Sequence, residues 1–188
     1  GQWCSSRYFY NALPAWAHAI NRLNAPAVRI SQTTWEPASI LASNFSYFMQ
    51  TGEQEPFKHQ FVGTQRFQKY KTSALVNTDI TNMALQCVAS TGMGNDKNTD
   101  LLCLTYYAGT YEHKAVTDCQ LEMQDTYIRL DKELGRLIDG LEEKLRRKDI
   151  LIVVTSTGYS DEEMTDYQAY KIPSGTFYMN RSVNLMKS

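Results

Sequence analysis

No stretch of this chain holds about 18 consecutive apolar residues, so the sequence offers no helix able to span a bilayer. An excess of one charge is lacking too: 19 Lys and Arg stand against 20 Asp and Glu, a formal net charge of −1. That balance makes no electrostatic case for nucleic acid or for an anionic membrane surface. Cysteine is sparse. Cys4, Cys87, Cys103 and Cys119 are widely spaced and form no CxxC pair, so they suggest neither a zinc site nor a disulfide scaffold. They are expected to be structural thiols, with Cys87 in a helical pattern and Cys103 buried in an apolar run. The start, Gly1-Gln-Trp-Cys4, has neither the basic nor the apolar region of a signal peptide, which does not in itself place the mature protein in the cytoplasm.

Nucleophile and phosphate motifs are also missing. Gly92-Met-Gly94 with Lys97 lacks the GxxxxGK[ST] spacing and a preceding strand, and Lys71-Thr72 follows no glycine cradle. Ser156 has no GxSxG elbow around it that would make it a partner for His18 or His59. There is no internal repeat and no low-complexity tract.

What is present reads as one globular domain over residues 1–188, with 43% hydrophobic and 21% charged residues. Leu13–Leu23 suits an amphipathic helix opening near Pro14, because proline is favoured in the first turn. Ala27–Ile30 reads as a short extended piece, and Thr34–Phe61 as irregular loop. Asn77-Thr-Asp79 precedes a helical pattern, with Thr78 or Asp79 as its cap. Gly92–Asn98 is a turn-rich connector. Leu101–Tyr107 is a continuous apolar run of buried-strand length. Thr117-Asp-Cys-Gln120 fits a capping box. The long helix it opens carries Met123, Tyr127, Leu130, Leu134, Leu137, Ile138, Leu141 and Leu145 on one stripe. Asp125/Arg129, Glu142/Arg146 and Glu143/Arg147 are i,i+4 pairs for its outer face. A second apolar run, Ile150–Thr155, empties into the hydroxyl-rich loop Ser156-Thr-Gly-Tyr-Ser160. Strand, helix and strand make a βαβ unit, so the expected fold is α/β, a mostly parallel sheet with helices on both faces. In such sheets sites lie beyond the carboxyl ends of the strands.

The order and spacing of several anchors carry a resemblance. They are Leu13-Pro-Ala-Trp16, Thr34-Trp35, Tyr70-Lys-Thr72, Asn77-Thr78, Thr99-Asp-Leu-Leu102, the Asp125–Leu134 helix and Lys171-Ile-Pro-Ser-Gly175. Over residues 8–177 the chain resembles the alkaline phosphatase superfamily. It is most similar to the bacterial branch of phosphate-irrepressible phosphatases and type I phosphodiesterase/nucleotide pyrophosphatases. The resemblance implies an internal or carboxyl-terminal half of that core. It also implies a periplasmic or cell-envelope setting and two-metal chemistry, usually with zinc.

The family's ligand pairs, however, are replaced. Its Asp-x-x-x-His falls here on Thr110 and Lys114, and the Asp-His of its Asp-His-Gly falls on Thr157 and Gly158. A lysine ammonium has three donors and no acceptor, and glycine has no side chain. The expectation is therefore a domain without a catalytic residue, metal or cofactor, acting in binding or scaffolding. Lys114, Thr155, Ser156 and Thr157 are candidates to hold an anion, with a phosphate-bearing ligand or an envelope protein as partner. The alternative is a metal-dependent phosphomonoesterase or phosphodiesterase, with zinc, whose site is completed by segments outside this chain. His113 beside Glu112 offers a single metal foothold, since sequence neighbours on an extended segment diverge. Asp161-Glu-Glu163 reads as the first turn of a helix capped by Ser160. Phe45-Ser-Tyr-Phe48 reads as loop packing, with stacking on a sugar or base as the functional option.

Overall fold

The computed structural model describes residues 2–8, 11–23, 26–38, 57–156 and 158. The chain divides into two compact units, Gly1–Leu151 and Ile152–Ser188. Expectations for Phe45–Phe48, Thr157, Asp161–Glu163 and the Lys171–Gly175 anchor lie outside the described residues.

Helix α1, Ala15–Leu23, begins directly after Pro14, whose carbonyl accepts the His18 N–H at 3.0 Å. Ala27–Ile30 is not extended, because it lies within helix α2, Pro26–Ser31. Pro26 stands at the first helical position, where its fixed φ suits the turn, and Pro26 and Ile30 are buried. Arg29 anchors this helix through Asp79 at 2.5 Å and the Tyr70 hydroxyl at 3.3 Å. Tertiary contacts here outweigh the modest helix propensity of Val28 and Ile30.

The span read as irregular is ordered at both of its ends. β1, Thr34–Trp35, pairs antiparallel with β2, His59–Gln60, in the register Thr34↔Gln60 and Trp35↔His59. Among the described residues this is the one sheet. Helix α3, Arg66–Lys71, leads into helix α4, Leu75–Thr91. α4 starts earlier than its polar residues suggest: Ala74 occupies the cap without a side-chain bond, and Thr78 and Asp79 lie inside the helix. Asp79 pairs with Arg29, and Thr78 donates to Glu133 at 2.8 Å. Gly92 ends the helix at φ 72°, a left-handed cap that glycine adopts without strain.

Helix α5, Gln120–Glu142, is the longest element and packs along α4. The Leu85 side chain packs so closely on Gly140 that a Cβ there would lie 2.8 Å from the Leu85 Cδ2. Its start is not the expected box, since Thr117 sits in the 3₁₀ turn Val116–Asp118 and Cys119 is the cap. Along the stripe Leu141 is buried, while Tyr127 at the amino-terminal end is exposed. Of the ion pairs, Asp125–Arg129 forms at 2.6 Å, but facing inward, with Asp125 fully buried. Glu142 is paired with Arg147 and Arg146 with Asp149, in place of the i,i+4 partners expected near the helix end. The Arg147–Asp149 turn that follows α5 redirects these side chains.

The core gathers Ile30, Trp35, Phe61, Tyr70, Ala74, Tyr111 and Cys119 beneath the short ladder. Trp35 meets Phe57 and Tyr111 edge-on with centroids 4.9 and 5.3 Å apart, the arrangement aromatic quadrupoles favour. All four cysteines are free. Cys119 is buried, Cys87 is half-buried, and Cys103 and Cys4 are exposed.

Neither apolar run is a paired strand among the described residues. In Leu101–Tyr107 burial alternates, with Leu102, Leu104 and Tyr106 half-buried and Leu101, Cys103 and Thr105 exposed. A strand exists by pairing with a neighbouring strand, and no described segment supplies that ladder. The exposure of Cys103 follows from this half-covered state. Leu151, Val153 and Val154 are likewise exposed.

Candidate phosphatase-like site

Asn77 holds the end of the first apolar run. Its buried carboxamide donates to the Tyr107 carbonyl at 2.8 Å and accepts the Tyr107 N–H at 2.7 Å. A single side chain thus supplies the two bonds that a neighbouring strand would make. The Tyr106 hydroxyl adds a bond to Thr81 at 2.9 Å, also on α4.

The chain then turns sharply through Thr110–Lys114. Thr110 is extended, and its carbonyl accepts the Tyr107 hydroxyl at 2.6 Å and the His113 N–H at 3.1 Å. Glu112 and His113 follow in the left-handed region, with φ 51° and 57°. Two consecutive residues with a Cβ there cost about 1–2 kcal/mol each. The turn is kept by the Glu112 N–H, which donates to the Thr72 hydroxyl at 3.1 Å. Thr72, read in sequence against a phosphate loop, therefore serves as a brace.

The Glu112 carboxylate lies between two ammonium groups, Lys69 at 3.3 Å and Lys114 at 3.4 Å. Burial alone would raise this carboxyl, but Lys69 and then Lys114 outweigh it and leave it below the usual range. Lys114 also sits 5.5 Å from the centre of the Tyr111 ring. Burial, followed by the charges of Glu112 and Glu122, pushes the Tyr111 phenol up to about 12. His113 points to an edge-on contact with Tyr107 and does not converge with Glu112 on a common centre.

In the second unit Thr155, Ser156 and Gly158 are exposed. The Ser156 hydroxyl donates to the Gly158 carbonyl at 2.6 Å, a local turn. The second histidine weighed with Ser156, His59, is instead 2.9 Å from Glu122 and stacked on Phe57. His18 is exposed on α1. The glycine loop is closed internally, because the Gly94 N–H donates to the Asp100 carboxylate at 2.7 Å.

These side chains do not fit a zinc pair. Thr110 offers at most a neutral hydroxyl, Lys114 a repelling cation and Gly158 nothing. Among the described residues no group of three His, Cys, Asp or Glu side chains is placed to hold a metal ion, and no helix is long and apolar enough to cross a membrane.

Sequence reasoning missed the residues that shape this site. Asp125, assigned to an outer face, accepts the Trp35 indole N–H, the Ala38 N–H and the Arg129 Nε–H, each at 2.6 Å. One signal was available: Asp125 follows Leu121, which is buried, by a single turn of the same helix face. Lys69 carried no signal, and Asn77, an anchor of the resemblance, gave no sign of its bonds to Tyr107, because the partners lie 43 and 30 residues away.

Residues 2–177 match the type I phosphodiesterase / nucleotide pyrophosphatase family. The chain is 23% identical to the alkaline phosphatase PafA of Elizabethkingia meningoseptica over 94% of its own length and 34% of that protein. It is 22% identical to the alkaline phosphatase PhoV of Synechococcus elongatus over 98% of its length and 35% of that protein. It therefore spans about a third of these relatives. A crystal structure of wild-type PafA superimposes with a TM-score of 0.52, covering 95% of this chain and 36% of that one at 22% identity. That likeness establishes an alkaline phosphatase-like α/β fold, and the family match is long enough to conclude that this chain belongs to the type I phosphodiesterase / nucleotide pyrophosphatase family.

Proposed function

We propose that this chain is a catalytically inactive alkaline phosphatase-like domain that binds or scaffolds and does not hydrolyse. The observation that carries this reading is Lys114. It stands where the family places a ligand histidine, and its ammonium is engaged with Glu112 and the Tyr111 ring. A cation at a ligand position repels a dication, and no rearrangement of its three donors creates an acceptor. Thr110, Thr157 and Gly158 at the other three positions point the same way.

The rest of the reading follows from the family. The chain forms part of a single α/β domain whose mostly parallel sheet is flanked by helices on both faces. Lys114 would offer charge to a phosphate-bearing ligand, without a nucleophile to cleave it. The setting is the periplasm or cell envelope, with an envelope protein as the alternative partner.

The test is hydrolysis of p-nitrophenyl phosphate and bis(p-nitrophenyl) phosphate by the full-length protein with zinc supplied. The expected result is no turnover above buffer. Chelator-sensitive turnover would instead establish a metal-dependent phosphoesterase completed by segments outside this chain.

A further inference from the structure

The first 35 residues contain three arginines, Arg7, Arg22 and Arg29, and no aspartate or glutamate. Arg29 is neutralised by Asp79. Arg7 and Arg22 form no ion pair with any described residue. Both line one cleft of about 540 Å³ between the amino-terminal segment and α1. This volume falls inside the range of roughly 300–1,000 Å³ typical of small-molecule sites.

The cleft has a built wall. Asn21 on α1 clamps the Trp3 backbone from both sides, accepting its N–H at 2.8 Å and donating to its carbonyl at 2.8 Å. His18 and Arg22 are one turn apart on the same face of α1, and both line the cleft. Asn11 adds a carboxamide, and no described lining residue is acidic. Two guanidinium groups without a counter-charge around one concavity repel each other, and an oxyanion bridging them relieves that repulsion. Arginine is suited to this role because its planar donors match a carboxylate or phosphate fork. Trp3 supplies a flat apolar surface beside them.

We propose that this cleft binds a small organic oxyanion, its carboxylate or phosphate-type head held by Arg7 and Arg22 and its body lying against Trp3. The site uses none of Thr110, Lys114, Thr157 or Gly158, so it stands or falls apart from the phosphatase-like site.

The test is isothermal titration calorimetry on the full chain at low ionic strength with two probes, phthalate and the non-hydrolysable phenylphosphonate. Saturable binding of either supports the site, and the tighter probe identifies the head group. Arg7→Gln or Arg22→Gln should each weaken binding at least about tenfold, while Lys132→Gln, exposed on α5, leaves it unchanged. Both arginines are exposed, so thermal melting of the variants should match the parent. The proposal is overturned if neither probe binds at millimolar concentration. Binding that survives both arginine substitutions, or that is lost in Lys132→Gln, also overturns it.

Discussion

Two carboxylates in this fold meet opposite surroundings. Asp125 is fully buried and takes three hydrogen bonds at 2.6 Å, from Trp35, Ala38 and Arg129. Glu112 is a quarter exposed, sits on a left-handed backbone and shares two longer contacts with Lys69 and Lys114. The first ties the β1 end of a long loop to α5 and holds the architecture. The second occupies the Thr110–Lys114 turn, and there a carboxylate is neutralised by lysines. The contrast sets a carboxylate held at full hydrogen-bonding strength in the scaffold against one neutralised by lysines in a partly exposed turn, the pattern expected where a fold outlasts its site.

Substitutions at three positions sharpen that contrast. Asp125→Ala should cost the most, about 3–5 kcal/mol in urea denaturation, because it leaves buried donors and a partly buried Arg129 unpaired. Asp125→Asn should recover part of that loss by restoring an acceptor. An Asp125→Ala variant as stable as the parent would remove the distinction between the two regions. Asn77→Ala should cost about 2–3 kcal/mol, since two buried bonds to Tyr107 are lost together. Hydrogen exchange should then rise at Tyr107, and unchanged protection there would contradict the strand-substitute role of Asn77.

Lys114→Gln should change stability by no more than about 0.5 kcal/mol, as expected for a half-exposed pair. Its signature lies in the pH dependence. The folded Glu112 carboxyl titrates below its ordinary value, so its stabilisation is present above the ordinary carboxylate range and is lost as pH falls through the lowered value. Removing Lys114 takes away one of the charges that lower it, so the acid limb should move to higher pH. An acid limb identical to the parent's would mean that Lys114 does not act on Glu112.

Much of the helical frame was legible in the sequence. Pro14 marked the start of α1, Gly92 the end of α4, and the apolar stripe of α5 followed the 3.6-residue period. Local chemistry misled where a distant partner decided the outcome. Asp79 looked like a cap and is a mid-helix ion-pair partner for Arg29, 50 residues away. Thr117 looked like a cap, but the 3₁₀ turn at Val116–Asp118 moves the helix start past it. Trp35 pairs with His59 across a loop that carries no period. The apolar runs signalled strands, and pairing is a property of neighbours that no single run encodes. The lysine–glutamate cluster that occupies the Thr110–Lys114 turn was not legible, because Lys69 comes from α3.

The central claim is that this scaffold no longer holds the family's metals, and metal content of the full-length protein, purified without chelator and measured by mass spectrometry, tests it most directly. The account predicts no stoichiometric zinc or manganese, with or without prior incubation in either ion. One or more equivalents of tightly held metal per chain would contradict it and require ligands other than Thr110, Lys114, Thr157 and Gly158.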